Sequence, residues 1–140
     1  MNQIAFRSEY QLTVEQEKNR LFYQNFDQMQ QAQSLPNYRS DWAAALAQVS
    51  PGFSILSDMQ VVNQVNQDLL AEFQAVEQLI VQRGVSMVAE VHVPGLPTRR
   101  CTDEITTSQA MPVRQFLNLW EAEQFLDELT LELAPHTPGR

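Results

Sequence analysis

Alternating apolar and polar residues near the start of the chain predict a β-hairpin. Tyr10, Leu12 and Val14 fall on one side of a first run, and a second β-rich run covers residues 21–26. The polar residues 16–20 between them have the composition of a turn, although they are more than two. We therefore predict two antiparallel neighbouring strands, while residues 4–6 either begin the first strand early or pack separately.

The middle of the chain predicts a parallel βαβ unit. Residues 53–59 are a short apolar run bounded by turn residues, which favours a buried strand. Residues 65–83 predict a helix, because apolar side chains recur every three or four positions, at Val65, Leu69, Phe73, Val76 and Ile80. Gly84 follows where a left-handed residue ends a helix, and the β-rich residues 85–93 come next. Strands joined by such a crossover are expected to be parallel.

The remaining pattern completes a mixed α/β fold. Residues 27–49 favour a helix that Pro36 divides, since proline lacks the amide donor that a helix interior needs. Residues 113–117 predict a last short strand, and Asn118 resembles a cap for a final helix. Residues 98–112 are the least legible, with a short helix expected around 103–110. We predict one domain over residues 1–134, a frayed tail at 135–140, and a mixed sheet of four to five strands with helices packed on it.

Composition and charge narrow the choice of partners. The 140 residues are 44% hydrophobic, which is enough for one buried core. The net charge of −8 argues against nucleic acid and anionic membranes as partners. No apolar run approaches the roughly 18 residues that a membrane span needs. We expect no secretory signal, and the single Cys101 then favours the cytoplasm as the location.

Candidate chemistry is sparse along the chain. Asp58 ends a predicted parallel strand, where open α/β sheets bind ligands, although aspartates at strand ends commonly accept hydrogen bonds from loop amides. Glu90 and His92 are two apart on a strand and share a face, so the carboxylate could orient the imidazole. They have no third partner at a recognisable spacing, and a solvent-facing strand edge or a helix-capping contact is the ordinary role. Cys101 follows Arg99 and Arg100, whose charges could activate a thiol, but no Cys-His-Asp order or Cys-x-x-Cys motif accompanies it. We predict no metal site, no cofactor and no enzyme activity.

At this point the order of elements and several residue runs resemble the STAS-like superfamily, the fold of bacterial anti-anti-sigma factors. The likeness is greatest to its SpoIIAA-like branch of small stand-alone proteins. The runs that carry it are residues 19–23, residues 42–59, the helix that ends at Gly84, residues 88–91 and residues 116–126. The resemblance spans most of residues 10–129 and implies a STAS/SpoIIAA-like α/β domain that works by binding another protein.

The same resemblance locates a site and shows a departure from the family. The family's phosphorylated Asp-Ser-Ser-Gly motif falls on residues 63–66, and Gln64 and Val65 stand at the two serine positions. Neither side chain has a hydroxyl that could accept a phosphoryl group. The resemblance therefore implies a lost phosphoserine switch but a retained contact surface, for which it indicates Asp58, Asn63, Gln64 and Asn66.

Two functions remain open from the sequence. The first is a non-enzymatic regulatory module that binds a protein, including a second copy of itself. The alternative is a carrier or sensor of a small apolar, lipid-like ligand, because the surroundings of Met29, Leu35 and Tyr38 could cover an apolar cleft. A closed apolar cavity of several hundred Å³ would favour the carrier, and a flat polar surface would favour the interaction module.

Overall fold

A computed structural model describes residues 1–61, 66–92 and 111–133, with side chains as far as residue 131. Its sheet contains six strands, whose spatial order is their order in the chain. The strands are β1 (Asn2–Phe6), β2 (Tyr10–Glu15), β3 (Arg20–Asn25), β4 (Ser54–Asp58), β5 (Met87–Val91) and β6 (Val113–Phe116). Pairing is antiparallel from β1 to β3 and parallel from β3 to β6.

The sheet confirms the predicted hairpin and the parallel βαβ pair, but it has one strand more than the four to five predicted. The additional strand is β1. A register shift between Gln3 and Ala5 interrupts its alternation, so the period of two that marks a strand is not visible there. A tight turn, in which the Arg7 amide donates to the Tyr10 carbonyl at 2.8 Å, separates β1 from β2.

Among the described residues, three helices cover the sheet: α1 (Tyr38–Leu46), α2 (Leu70–Arg83) and α3 (Leu119–Leu133). Pro36 does precede α1, and the residues before it form a short 3₁₀ helix, Asp27–Gln31, rather than an α-helix. Gly84 ends α2 at φ 95°, and a Cβ there would lie 3.2 Å from that of Pro51. None of the described helices combines the length and the hydropathy needed to cross a bilayer.

The core has two parts, one on each face of the sheet. The larger part lies under α1 and α2, and Leu12, Leu21 and Ile55 point into it. The smaller part lies under α3, where Leu56 and Val91 are buried together with the helix residues Ala122 and Leu126. Phe73, in the apolar stripe of α2, is only partly buried and packs against the ring of Tyr38.

The helix α3 covers only half of its face. It packs on β4, β5 and β6, and it reaches β3 through Arg20 and Phe22. Gln3, Gln11 and Gln24 lie on this same face, farther toward the β1 edge, and they are exposed or partly exposed. The face therefore combines a covered apolar half and a polar half that side-chain amides occupy.

On the opposite face, a half-buried ion pair fastens α1 to the β1–β2 turn. The Asp41 carboxylate accepts from Arg7 Nε at 2.6 Å and Nη2 at 2.9 Å, and from the Tyr10 hydroxyl. Burial alone would raise the pKa of Asp41, but these hydrogen bonds outweigh it and hold the pKa below its usual value. The position of α1 over the hairpin is thus set by a charged contact as well as by apolar packing.

Candidate functional site

Asp58 lies at the carboxyl end of β4 and is 4% exposed. Its Oδ1 accepts from the Gln60 backbone amide and from Gln60 Nε2, both at 3.1 Å, and its Oδ2 accepts from Gln24 Nε2 at 3.2 Å. Asp58 thus accepts hydrogen bonds from a neighbouring loop, as aspartates at strand ends commonly do. The carboxylate itself is buried, so a partner would meet the two glutamines around it.

Burial of Asp58 corrects the surface position that the sequence indicated, and it has a consequence for stability. We expect Asp58→Ala to lower the free energy of unfolding by about 1–3 kcal/mol, because it removes the charged acceptor of three part-buried hydrogen bonds. Urea denaturation followed by circular dichroism measures the change. The matched variant Glu17→Ala, at an exposed carboxylate, should stay within about 0.5 kcal/mol of the parent. Equal stability of the two variants would contradict this role of Asp58.

A row of side-chain amides leads away from Asp58 across the open half of the sheet. Gln24 Oε1 accepts from Gln11 Nε2 at 2.5 Å, and Gln11 Oε1 accepts from Gln3 Nε2 at 3.5 Å. The row crosses β1, β2, β3 and β4. Phe6 lies on the same face, with its ring centroid 5.8 Å from that of Phe26. These residues form a largely uncharged surface, which we call the amide face (Gln3, Gln11, Gln24 and Gln60, with Phe6 at its edge).

Asn66 serves the fold as the N-cap of a short 3₁₀ helix, Gln67–Leu69, that leads into α2. Its Nδ2 is within hydrogen-bonding distance of three carbonyls, those of Met29, Gln30 and Ala32, at 3.0, 3.2 and 2.9 Å. Its Oδ1 accepts from the Asp68 amide at 3.1 Å. The side chain therefore fastens the earlier 3₁₀ segment, Asp27–Gln31, to α2. Asn63 and Gln64 lie outside the described residues, and their contact role stays a prediction.

Glu90 and His92 form a contact in the interior. His92 Nε2 lies 3.0 Å from Glu90 Oε1, and both residues are buried. The expectation of a solvent-facing strand edge is therefore wrong. The two residues share the face of the sheet that carries the larger part of the core, which the strand pattern alone does not show.

A third titratable residue, Glu77 of α2, was missed by the sequence analysis. It is 3% exposed, and neither carboxylate oxygen has a hydrogen-bond partner among the described residues. Burial and then the charge of Glu90 raise the pKa of Glu77 to about 7. The sequence did contain a signal of this burial, because Glu77 stands four residues after Phe73 and eight after Leu69, within the apolar stripe.

Within the described part of the chain, no three histidine, cysteine or acidic residues could hold a metal ion together. Cys101, the expected helix at 103–110 and the tail at 135–140 lie outside the described residues.

A cleft of about 270 Å³ lies between the β1–β2 turn and the segment before α1. Its lining includes the charged residues Arg7 and Glu9 as well as the apolar Phe6 and Leu35. Charged groups in the wall disfavour a wholly apolar ligand, because their water would have to be removed. This cleft therefore gives the lipid-carrier alternative little support.

Comparison with protein-family models, with curated proteins and with solved structures finds no match to this chain. The contacts described above are therefore the basis of the functional proposal, and the STAS-like resemblance stays a hypothesis.

Proposed function

We propose that this chain is a non-enzymatic, regulatory protein-interaction module of STAS-like type, which lacks the phosphoacceptor serines and binds its partner through the amide face. The observation that carries the proposal is the hydrogen-bonded row from Gln3 through Gln11 and Gln24 to Asp58. A partly exposed polar surface of this kind favours the interaction module over a carrier, which would need an enclosed apolar cavity.

The chemistry of the row suits a protein partner. A glutamine amide has two donor hydrogens and two acceptor lone pairs, and the row uses only part of that capacity. The remaining donors and acceptors are available to the polar groups of a partner. The amides of Gln3 and Gln11 carry no charge, so docking on them removes no ion from water, which is the expensive step in forming a polar interface. The bonds along the row also restrain the side chains before a partner arrives, which lowers the entropy cost of binding.

The amide face is tested by affinity capture from the native cells with quantitative mass spectrometry of proteins and extracted lipids. We expect Gln3→Ala/Gln11→Ala to reduce the amount of the stoichiometric protein partner by about fivefold or more, as loss of an interface contact does. The matched variant Gln78→Ala/Gln82→Ala, at exposed positions of α2, should capture the partner as the parent does. Melting temperatures confirm that both variants are folded. Equal capture by both variants would reject the amide face, and a stoichiometric lipid in place of a protein would support the carrier.

A further inference from the structure

The outer face of α3 carries exposed apolar side chains. Trp120 is 67% exposed and Leu131 is 72% exposed, and Leu117, just before the helix, is 61% exposed. Trp120 and Leu131 are eleven residues apart, so they lie on one stripe about 16 Å long, in which Gln124 and Asp127 stand between them. Ala122 and Leu126, on the opposite side of the helix, make the contact with the sheet. The exposed stripe is therefore additional to the side of α3 that packs in the core.

Carboxylates flank this stripe. The helix contains no lysine or arginine, and its residues Glu121, Glu123 and Glu128 are exposed. Within the described part of the chain these three glutamates form no ion pair. Asp127 of the same helix differs, because Lys18 lies 3.3 Å and Arg20 2.9 Å from its Oδ1. The outer face of α3 thus combines a tryptophan, a leucine and negative charge. The helix itself supplies no cation, and Arg114 of β6 lies beside it with its guanidinium carbon 4.8 Å from the ring centroid of Phe125.

We propose that the outer face of α3 binds a positively charged amphipathic helix of a partner protein. A helix laid along α3 would place leucine-sized side chains on Trp120 and Leu131, which lie three turns apart. Its lysines or arginines would meet Glu121, Glu123 and Glu128, which supplies the charge complementarity. Tryptophan is the residue type that most often dominates the energy of an interface, so Trp120 is the expected anchor.

The negative charge of the outer face of α3 argues for a positively charged partner. A second copy of the chain, related by two-fold symmetry, would bring the same carboxylates to the contact and repel it. An anionic lipid or nucleic acid surface would be repelled likewise. The proposal rests on the proposed role as an interaction module, and it adds a second surface and the chemical class of the partner.

The probe is a synthetic helical peptide of about 18 residues, with leucines on one face and lysines on the other, long enough to span the stripe. The control peptide has the same composition, with the leucines spread around the helix. Trp42 is buried, so a blue shift of tryptophan emission reports on Trp120. We expect saturable binding of the amphipathic peptide with a blue shift, and weaker binding at about 300 mM than at about 50 mM salt.

Titration calorimetry with variants locates the contact. We expect Trp120→Ala to weaken binding by about tenfold or more, and Phe6→Ala, an exposed aromatic on the amide face, to change it by less than about twofold. Equal binding of the two peptides, or unchanged binding to Trp120→Ala, would overturn the proposal. A dimer in sedimentation that Trp120→Ala dissociates would also overturn it and assign the face to a second copy. The amide face is tested with different variants, Gln3→Ala/Gln11→Ala. A negative result for one surface therefore leaves the proposal for the other surface unaffected.

Discussion

Asp127→Ala is expected to lower the free energy of unfolding by about 3 kcal/mol, whereas replacing its partner in Arg20→Met should cost about 1 kcal/mol or less. The two stability losses differ because Arg20 is much more deeply buried than Asp127. The Arg20 side chain is 2% exposed between the sheet and α3, and the Asp127 side chain is 38% exposed. Removing the carboxylate leaves a buried cation without its counter-charge, while removing the guanidinium leaves an accessible carboxylate beside Lys18.

The other contacts of Arg20 explain why methionine is the informative replacement. Arg20 Nε donates to Ser54 Oγ at 3.2 Å, and Nη2 donates to Thr130 Oγ1 at 3.5 Å. The Nη1 atom is close to Asp127 but not aligned to donate a hydrogen bond, so this contact is an ion pair. Methionine is flexible and apolar and fills the same space without a charge.

A double-mutant cycle measured by urea denaturation tests the asymmetry. The double variant Arg20→Met/Asp127→Ala should recover most of the stability that Asp127→Ala alone loses. Equal losses in the two single variants would show that the burial of Arg20 does not govern the pair.

The stability that this ion pair contributes also depends on pH. Burial would raise the pKa of Asp127, but Arg20 and Lys18 outweigh it and lower the pKa. Stability from this pair is thus present above the ordinary value of 3.8 and is lost as pH falls through the lowered pKa.

The substitution Glu77→Gln is expected to have the second large effect on stability, and it should stabilise the protein. The folded state raises the pKa of Glu77 from 4.5 to about 7, because the carboxylate is buried and faces the charge of Glu90. Ionisation of Glu77 therefore penalises the folded state fully above about pH 7, and the penalty disappears below about pH 4.5. We expect Glu77→Gln to gain about 3 kcal/mol at about pH 8 and little at about pH 4.5.

Thermal or urea denaturation across this pH range measures the gain. The parent protein should lose stability between about pH 5 and about pH 8, and Glu77→Gln should lose much less. Glu17→Gln, at an exposed carboxylate, is the matched control and should follow the parent. Parallel profiles for the parent and Glu77→Gln would show that Glu77 titrates normally. Asp41 and Asp127 act in the opposite direction at low pH, so the stability maximum should lie in mildly acidic solution.

Local sequence patterns were sufficient to predict the strands and helices whose ends and periodicity depend only on neighbouring residues. The alternation at Tyr10, Leu12 and Val14 predicted β2, and Gly84 marked the end of α2 where the structure has it. The crossover from β4 through α2 to β5 predicted the parallel pair, because a strand can return in parallel only through such a connection. The strand β1 was missed since its register shift removes the period that a sequence pattern detects.

Tertiary structure decided which polar residues are buried and what they contact. Arg20 looked like part of a polar turn, but it is buried because α3, from the far end of the chain, supplies Asp127 and Thr130. Glu90 and His92 looked like a strand edge, but both are buried on the face that carries the larger part of the core. Asn66 looked like a contact residue, and its side chain is instead bonded to carbonyls more than thirty residues earlier. A local pattern records which side of an element is apolar, whereas the fate of a polar side chain depends on the distant element that packs over it.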